Sequence, residues 1–337
     1  MRHPLKVLLL VFLFGALGAG VALYLQGQSG GGGERVSVYS AHSQDVIDAL
    51  AARFTAETGI EVDVVKLGSG EVIQRVLAER KAPQCDVIWS IAGDQLEGHP
   101  EVLDPWRPKA FEAVEPAYRQ AVGESPWLPY TVIVPVFLVG KGEGPRPTRW
   151  DQLGDAALKD QLSSARADKS GSAFMQLVAV LRLHGEEKGW PIVDALLGNA
   201  VLSGSSSAVP RLVNDGEARV GITLEDSARR YVKGGGPVEL VYPEDGTLTA
   251  PDGLALVKGA PHPEAAKRFV EWALSKPVQE ALVKEMGRRS VRSDVAPPEG
   301  LPPLKEISAQ PYDFRWAAER KETLLKRWRE RVAALGK

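Results

Sequence analysis

The chain has 337 residues, 44% of them apolar, enough to bury one large or two medium cores. A formal net charge of −2 gives no whole-molecule field that would draw nucleic acid or an anionic membrane. The single cysteine, Cys85, excludes an internal disulfide and a cysteine-based metal cluster, and five scattered histidines without an HExxH motif speak against a zinc enzyme.

At the N-terminus, Arg2 and Lys6 lead into an uncharged apolar run over residues 7–25 and then the glycine-rich linker QGQSGGGG. A basic start before an apolar run is the pattern of an export signal or a signal anchor. The run is long for a signal and near the length that spans a bilayer. No strict Ala-x-Ala site is present, and no cysteine follows to carry a lipid, so a cleaved signal and an uncleaved anchor both fit. A buried core helix fits poorly, because the flexible linker detaches the run from the rest. The basic start places the remaining chain outside the cytoplasmic membrane, periplasmic or extracytoplasmic, tethered if residues 7–25 are retained.

From residue 34 onward, RVSVYSA alternates Val36 and Val38 and reads as a strand ending in small polar residues. In the next segment Val46, Ile47, Leu50 and Phe54 recur at helical spacing, with Ser43 as cap and Gly59 as stop. IEVDVVKLGSG gives a second strand, EVIQRVLAER a second helix with Val72, Val76 and Leu77 on one face, and CDVIWS a third strand. PYTVIVPVFLVG reads as one long apolar strand. After it come further α/β units: TRWDQLGDAALKDQLSSARADKSGSAFMQLVAVLRLHG, AVLSGSSSAVPRLVNDG, RVGIT, EDSARRYVKGG, VELVYP and DGLALVKG. Two helices follow in PHPEAAKRFVEWALSKPVQEALVKEM. A basic tail helix sets Leu324, Trp328, Val332 and Leu335 on one face, the pattern of a helix docked on a domain with its charge in solvent. Alternating strands and helices imply parallel sheets covered on both faces, an α/β fold.

Ligands of open α/β sheets bind beyond the carboxyl ends of the strands. Here those ends carry small polar residues: Ser40 and His42, then Ser69 in LGSGE, then Trp89 in WSIAGD. In the second half they are Ser170, Gly171 and Ser172 in DKSGSA, Ser205 in SGSSS, Thr223, Glu225 and Asp226 in ITLED, and Tyr242 and Glu244 in YPEDGT. GSG, SGSA and SGSSS each precede a predicted helix, whose first amide groups and positive dipole end attract phosphate, phosphonate or carboxylate. Simple N-capping is the alternative for each. No Walker loop is present, and no GxGxxG occupies a strand-to-helix turn. Glu225 and Asp226 suit the first turn of a helix, or else accept hydrogen bonds from ligand hydroxyls or an amine, with His42 as a complementary donor.

The ordered segments YSAHSQDVIDALAARFTAETGIEVDVV, GSGEVIQRVLAER and CDVIWS, following an export segment, resemble the periplasmic solute-binding proteins of ABC importers. The nearest group is the one that binds ferric iron, phosphonates or hexose phosphates. ADKSGSAF, NDGEARVGIT, the VYPEDGT region and GRRSVRSDV agree, so the resemblance covers nearly all of residues 35–300. It implies a type 2 periplasmic-binding-protein fold after a signal or anchor segment at residues 1–33. The first lobe would comprise residues 34–135 and 250–337 with the C-terminal helices, and the second residues 136–249. It also implies an interlobe cleft closing on a small anionic solute, partnership with a permease and its ATPase, a monomer, and neither covalent chemistry, cofactor nor metal. Ferric binders of this group resemble one another in a tyrosine pair after the strand that reads RVGIT here, whereas the matching LEDSARRYVKGG holds Tyr231 alone. The resemblance therefore favours binders of sugar phosphates or aminoalkylphosphonates. In that reading the serines at helix starts hold the phosphoryl group, while Glu225, Asp226 and Glu244 hold hydroxyls or an amine. His42, Trp89 and Tyr130 line the other wall. A ferric binder of the same fold, a membrane-anchored sensor or interaction module, and a hydrolase with paired carboxylates are the alternatives.

Overall fold

The computed structural model describes residues 33–337; the apolar run at 7–25 lies outside them. Among the described residues no helix is long and apolar enough to cross a membrane. The strands in chain order are β1 (Arg35–Ser40), β2 (Glu61–Lys66), β3 (Val87–Ala92), β4 (Leu103–Asp104), β5 (Leu128–Ile133) and β6 (Pro135–Gly140). They continue with β7 (Leu162–Ala165), β8 (Ala200–Ser203), β9 (Val220–Leu224), β10 (Val238–Val241), β11 (Thr247–Val257), β12 (Arg289–Ser290) and β13 (Ala309–Pro311).

These strands form two sheets. One runs β12-β5-β11-β3-β1-β2, with β13 and β4 also paired to β11, and the other runs β10-β6-β9-β7-β8. In the first sheet β1 is parallel to β2 and β3. In the second, β7 is parallel to β8 and β9. The strands that carry the chain between sheets pair antiparallel, as β5 does with β11 and β6 with β9. The apolar segment read as one strand is two, β5 and β6, interrupted at the fully buried Val134. The break turns one strand from the first sheet into the second. Thr247 Oγ1 ties the other crossing to it by donating to the Pro135 carbonyl at 2.7 Å.

Helices cover the sheets as the periodicity predicts. The helix Gln44–Thr58 buries Val46, Ile47, Leu50 and Phe54 and stops at Gly59, whose φ of 74° is a left-handed conformation that glycine adopts without a Cβ penalty. Ser43 occupies its N-cap without a side-chain capping bond. Phe54 packs edge-on against Phe269 and Trp272, each at 5.1 Å, and Trp89 lies 5.4 Å from Phe269, so one aromatic cluster joins that helix, β3 and the helix Pro263–Ala273. Each such ring removed from water contributes about 1.5–3 kcal/mol before entropic costs. The helical stretch Gly171–Asn199 is interrupted at Gly185, with φ 73° and ψ 157°.

The tail helix Phe314–Ala334 docks as its apolar stripe predicts: Leu324, Trp328 and Val332 are buried, whereas Leu335 lies past the helix end and is exposed. Lys321 bonds the buried Asp94 beside the first sheet, and Arg320 pairs with Glu186 of the long helical stretch Gly171–Asn199 at 2.6 Å. Much of the tail's basic charge is thus engaged with the protein itself.

Candidate functional site

The carboxyl ends of six parallel strands, β1, β2 and β3 from one sheet and β7, β8 and β9 from the other, open onto one cleft of about 360 Å³. Each end contributes lining: His42 after β1, Gly68 and Ser69 after β2, Ser90 to Ala92 from β3, Ser170 and Gly171 after β7, Ser205 to Ser207 after β8, and Asp226 after β9. Segments following the two sheets touch across it. A Cβ on Gly171 would stand 2.8 Å from both Ala92 Cβ and Ser69 Oγ, and one on Gly68 would stand 2.8 Å from the Lys169 carbonyl. Only residues without a side chain allow this approach.

Two helix starts meet at this contact. The helix Ser69–Glu79 begins at Gly68, and the Glu71 carboxylate folds back onto the Gly68 amide at 2.9 Å. The helix Gly171–Asn199 begins at Ser170, whose Oγ accepts from the Ala173 amide at 3.3 Å and lies 3.0 Å from Ser172 Oγ. First-turn amides have no intrahelical acceptor, so both starts present unpaired donors and the positive dipole end. Lys66 and Lys169 line the same cleft. This end presents backbone and hydroxyl donors and two lysines, with the Glu71 carboxylate beside them on the Gly68 amide, so an anion would meet donors and cations and one resident carboxylate.

The other end is built around Arg288, which sequence reading left unassigned although GRRSVRSDV was part of the resemblance. Its side chain is buried, and Nε donates to Asp226 Oδ2 at 3.0 Å. Nη1 donates to Asp252 Oδ2 at 2.9 Å and Thr131 Oγ1 at 2.8 Å. Burial works against the guanidinium charge, but Asp226 and Asp252 more than offset it and raise its pKa above the ordinary arginine value. Asp252 also accepts from the Thr131 amide and hydroxyl, both at 2.7 Å, and from Ser90 Oγ. Ser90 reaches it from a positive φ of 57°. The residue sits at a register shift, because Trp89 pairs with Leu254 and Ile91 with Gly253. Such a bulge re-aims a side chain beside a site.

His42 forms the wall beside Arg288. It is 2% exposed, and neither ring nitrogen has a hydrogen-bond partner among the described residues. Trp89 and Tyr130 pack edge-on against it at 4.7 and 5.6 Å. Burial first, and the Arg288 charge second, hold its pKa well below the usual histidine range, so the ring is neutral at pH 7.

The sequence-derived candidates divide cleanly. His42, Ser69, Ser170, Gly171, Ser172, Ser205 and Asp226 line the cleft. Ser40 is buried behind it and accepts from the His42 amide at 3.2 Å, and Trp89 and Tyr130 back the His42 ring. Thr223 is buried within β9, opposite Val136. Glu225 points away from the cleft: Arg289 donates to it through Nε at 2.7 Å and Nη2 at 2.9 Å, and Tyr242 donates its hydroxyl. Glu244 is exposed on the surface outside the lining. Lys66, Ser90, Lys169, Asp252 and Arg288 are cleft residues that join the set. Adjacent arginines between a helix and a short strand were the available sequence signal for the last.

Two α/β sheets whose parallel strands end at a common cleft define a ligand-binding architecture rather than a phosphate-loop or dinucleotide fold. Residues 36–287 match the model of the bacterial extracellular solute-binding proteins, and the chain belongs to that family. It is 28% identical over 257 residues to the putative 2-aminoethylphosphonate-binding periplasmic protein of Salmonella paratyphi A, covering 72% of this chain and 73% of that one. It is 24% identical over 271 residues to iron uptake protein A1 of Synechocystis, covering 74% of each. The periplasmic binding protein AfuA of Actinobacillus pleuropneumoniae, solved with fructose-6-phosphate bound, has the same fold. Its TM-score is 0.84 at 23% identity, over 89% of this chain and 99% of that one.

Proposed function

We propose that this chain is the extracytoplasmic solute-binding component of an ABC transporter and that it captures a small organic phosphate or phosphonate. The observation that carries this reading is the convergence, from both lobes, of two helix starts, Lys66, Lys169 and the serine hydroxyls on one end of the cleft. Backbone amides and hydroxyls there reproduce the hydrogen bonds that water gives a phosphoryl oxygen, and the lysines balance its charge. Lobe closure then buries the solute for delivery to a permease and its ATPase. The relatives named above for an aminoalkylphosphonate and a sugar phosphate support a phosphoryl solute.

Ferric iron is the second reading, favoured by the iron-uptake relative. Against it stands the fate of the tyrosines: Tyr242 is bonded to Glu225, Tyr39 to Glu79, and Tyr130 is fully buried. Phenolates, the hard donors that iron(III) needs, are discouraged there, since burial raises the pKa of Tyr39 to about 12 and those of Tyr130 and Tyr242 further. A thermal-shift panel separates the readings. A phosphoryl solute at about 100 times its Kd adds about 2.7 kcal/mol to stability and raises the melting temperature. A shift with iron(III) alone would reverse the assignment.

A further inference from the structure

Resting on the reading of a cleft that closes on its solute, we propose that the tail helix Phe314–Ala334 is a strap across both sheets. It sets the balance between open and closed forms, with Lys321 as its clasp. The division of its contacts carries this. The chain entering the helix, and its first turn, belong to the first sheet. The Tyr312 amide donates to the Thr249 carbonyl of β11 at 2.9 Å, and the Phe314 ring stands 5.0 Å from Trp127. A Cβ on Gly93 would lie 2.6 Å from Phe314 Cε1, so this seat is closely fitted. The far end belongs to the second sheet. Arg166, directly after β7, stacks on Trp328 at 5.2 Å, and Lys337 Nζ donates to the carbonyls of Leu197, Gly198 and Ala200 at 2.6–3.1 Å. Along the helical stretch Gly171–Asn199, Arg327 and Arg331 lie 4.4 and 4.3 Å from the Trp190 ring, and Arg331 pairs with Asp194 at 2.7 Å.

Lys321 sits where these two sets of contacts meet. Its Nζ bonds Asp94, which is 2% exposed, and lies 4.5 Å from the centre of the Phe174 ring. Asp94 belongs to the short helix Gly93–Glu97 that begins beyond Ala92, and Phe174 to the first turn of the helix that begins at Gly171. Ala92 and Gly171 are the pair that approach each other across the cleft. One cation therefore holds together the two segments whose contact narrows the cleft. Separation of the walls would carry Asp94 away from Phe174, and Lys321 could follow only one of them. It would give up either the charge of a buried carboxylate or a desolvated cation–π contact. The clasp thus favours the form in which the walls touch. Releasing it lowers the fraction of binding-competent molecules, and apparent affinity falls in the same proportion.

Electron-resonance distance measurement between spin labels at Gln74→Cys and Val201→Cys tests the strap without any solute. Both positions are exposed, one on the helix Ser69–Glu79 and the other on β8, and the buried Cys85 stays unlabelled. Lys321→Met keeps the apolar stem and removes the charge. It should lengthen and broaden the distance distribution of the unliganded chain and weaken fructose 6-phosphate binding about fivefold by calorimetry. Glu186→Gln removes the partner of Arg320 and Arg327 at a partly exposed position and should move the distance the same way by less. A tail that only packs would lower the melting temperature of both variants and leave the distances as in wild type. An unchanged or shortened distance in Lys321→Met, or in Glu186→Gln should the first variant not fold, would overturn the strap. Lengthened distances with no binding of fructose 6-phosphate to any form would leave the strap in place and count against the phosphoryl reading instead.

Discussion

Glu225 and Asp226 sit side by side in the first turn of one helix, yet their side chains meet different arginines. Glu225 is 3% exposed and holds Arg289 and Tyr242, so its removal strands a buried cation. Glu225→Ala should cost about 3 kcal/mol of stability, read by denaturant unfolding. Asp226→Ala should cost less, because Arg288 keeps Asp252, and should weaken solute binding more. The reverse order would show that Asp226 is the structural acid. His42 makes a second prediction. Its folded-state pKa is depressed, so near and below pH 6.5 the unfolded chain binds a proton that the folded chain refuses. The stability it contributes is therefore complete above pH 6.5 and is lost as pH falls below it, by about 1.4 kcal/mol per unit. Between pH 7.5 and 5.5, His42→Gln should lose about 1 kcal/mol less than wild type, and equal losses would mean that another group carries the dependence. At this scale the sequence revealed which residue types stand at the strand ends but not their partners. Glu225 and Asp226 looked equivalent because spacing along a helix says nothing about Arg288 and Arg289, which arrive from more than 60 residues away.

Elements decide which residues share the cleft. The strand ends were readable as runs of Ser and Gly, because a ligand near the backbone excludes bulky side chains. The break at Val134 was not readable, because an unbroken apolar segment looks the same whether it crosses between sheets in one strand or two. Three ion pairs tie the helix Glu225–Lys233 to Arg289, Arg288 and Asp45, through Glu225, Asp226 and Arg230, the last reaching Asp45 at 2.6 Å. On the opposite side of the cleft the two walls approach through glycine instead. Gly171→Ala leaves the helix backbone acceptable but sets a methyl group 2.8 Å from Ala92 Cβ and Ser69 Oγ. We expect stability within about 1 kcal/mol of wild type, with solute affinity reduced about 10-fold because the lobes cannot meet. Unchanged affinity by calorimetry would show that closure does not need this contact.

Across the whole molecule, two sheets joined by crossing strands place six strand ends around one cavity. That organisation followed from alternating strand and helix patterns, because a parallel sheet needs helices on its faces and presents its carboxyl ends together. The role of the tail was legible from its apolar stripe, whereas its reach to both Asp94 and Glu186 was not, since ion-pair partners leave no periodic trace. The charge layout, donors and lysines at one end and a bonded arginine–carboxylate network with a neutral histidine at the other, is the basis for assigning a phosphoryl solute. Parallel calorimetric titration of the purified chain with fructose 6-phosphate and with iron(III) citrate tests that assignment most directly. The account predicts saturable one-to-one binding of the phosphate ester and none of the metal. Tight iron binding accompanied by a visible phenolate charge-transfer band, with no heat from the phosphate ester, would contradict it.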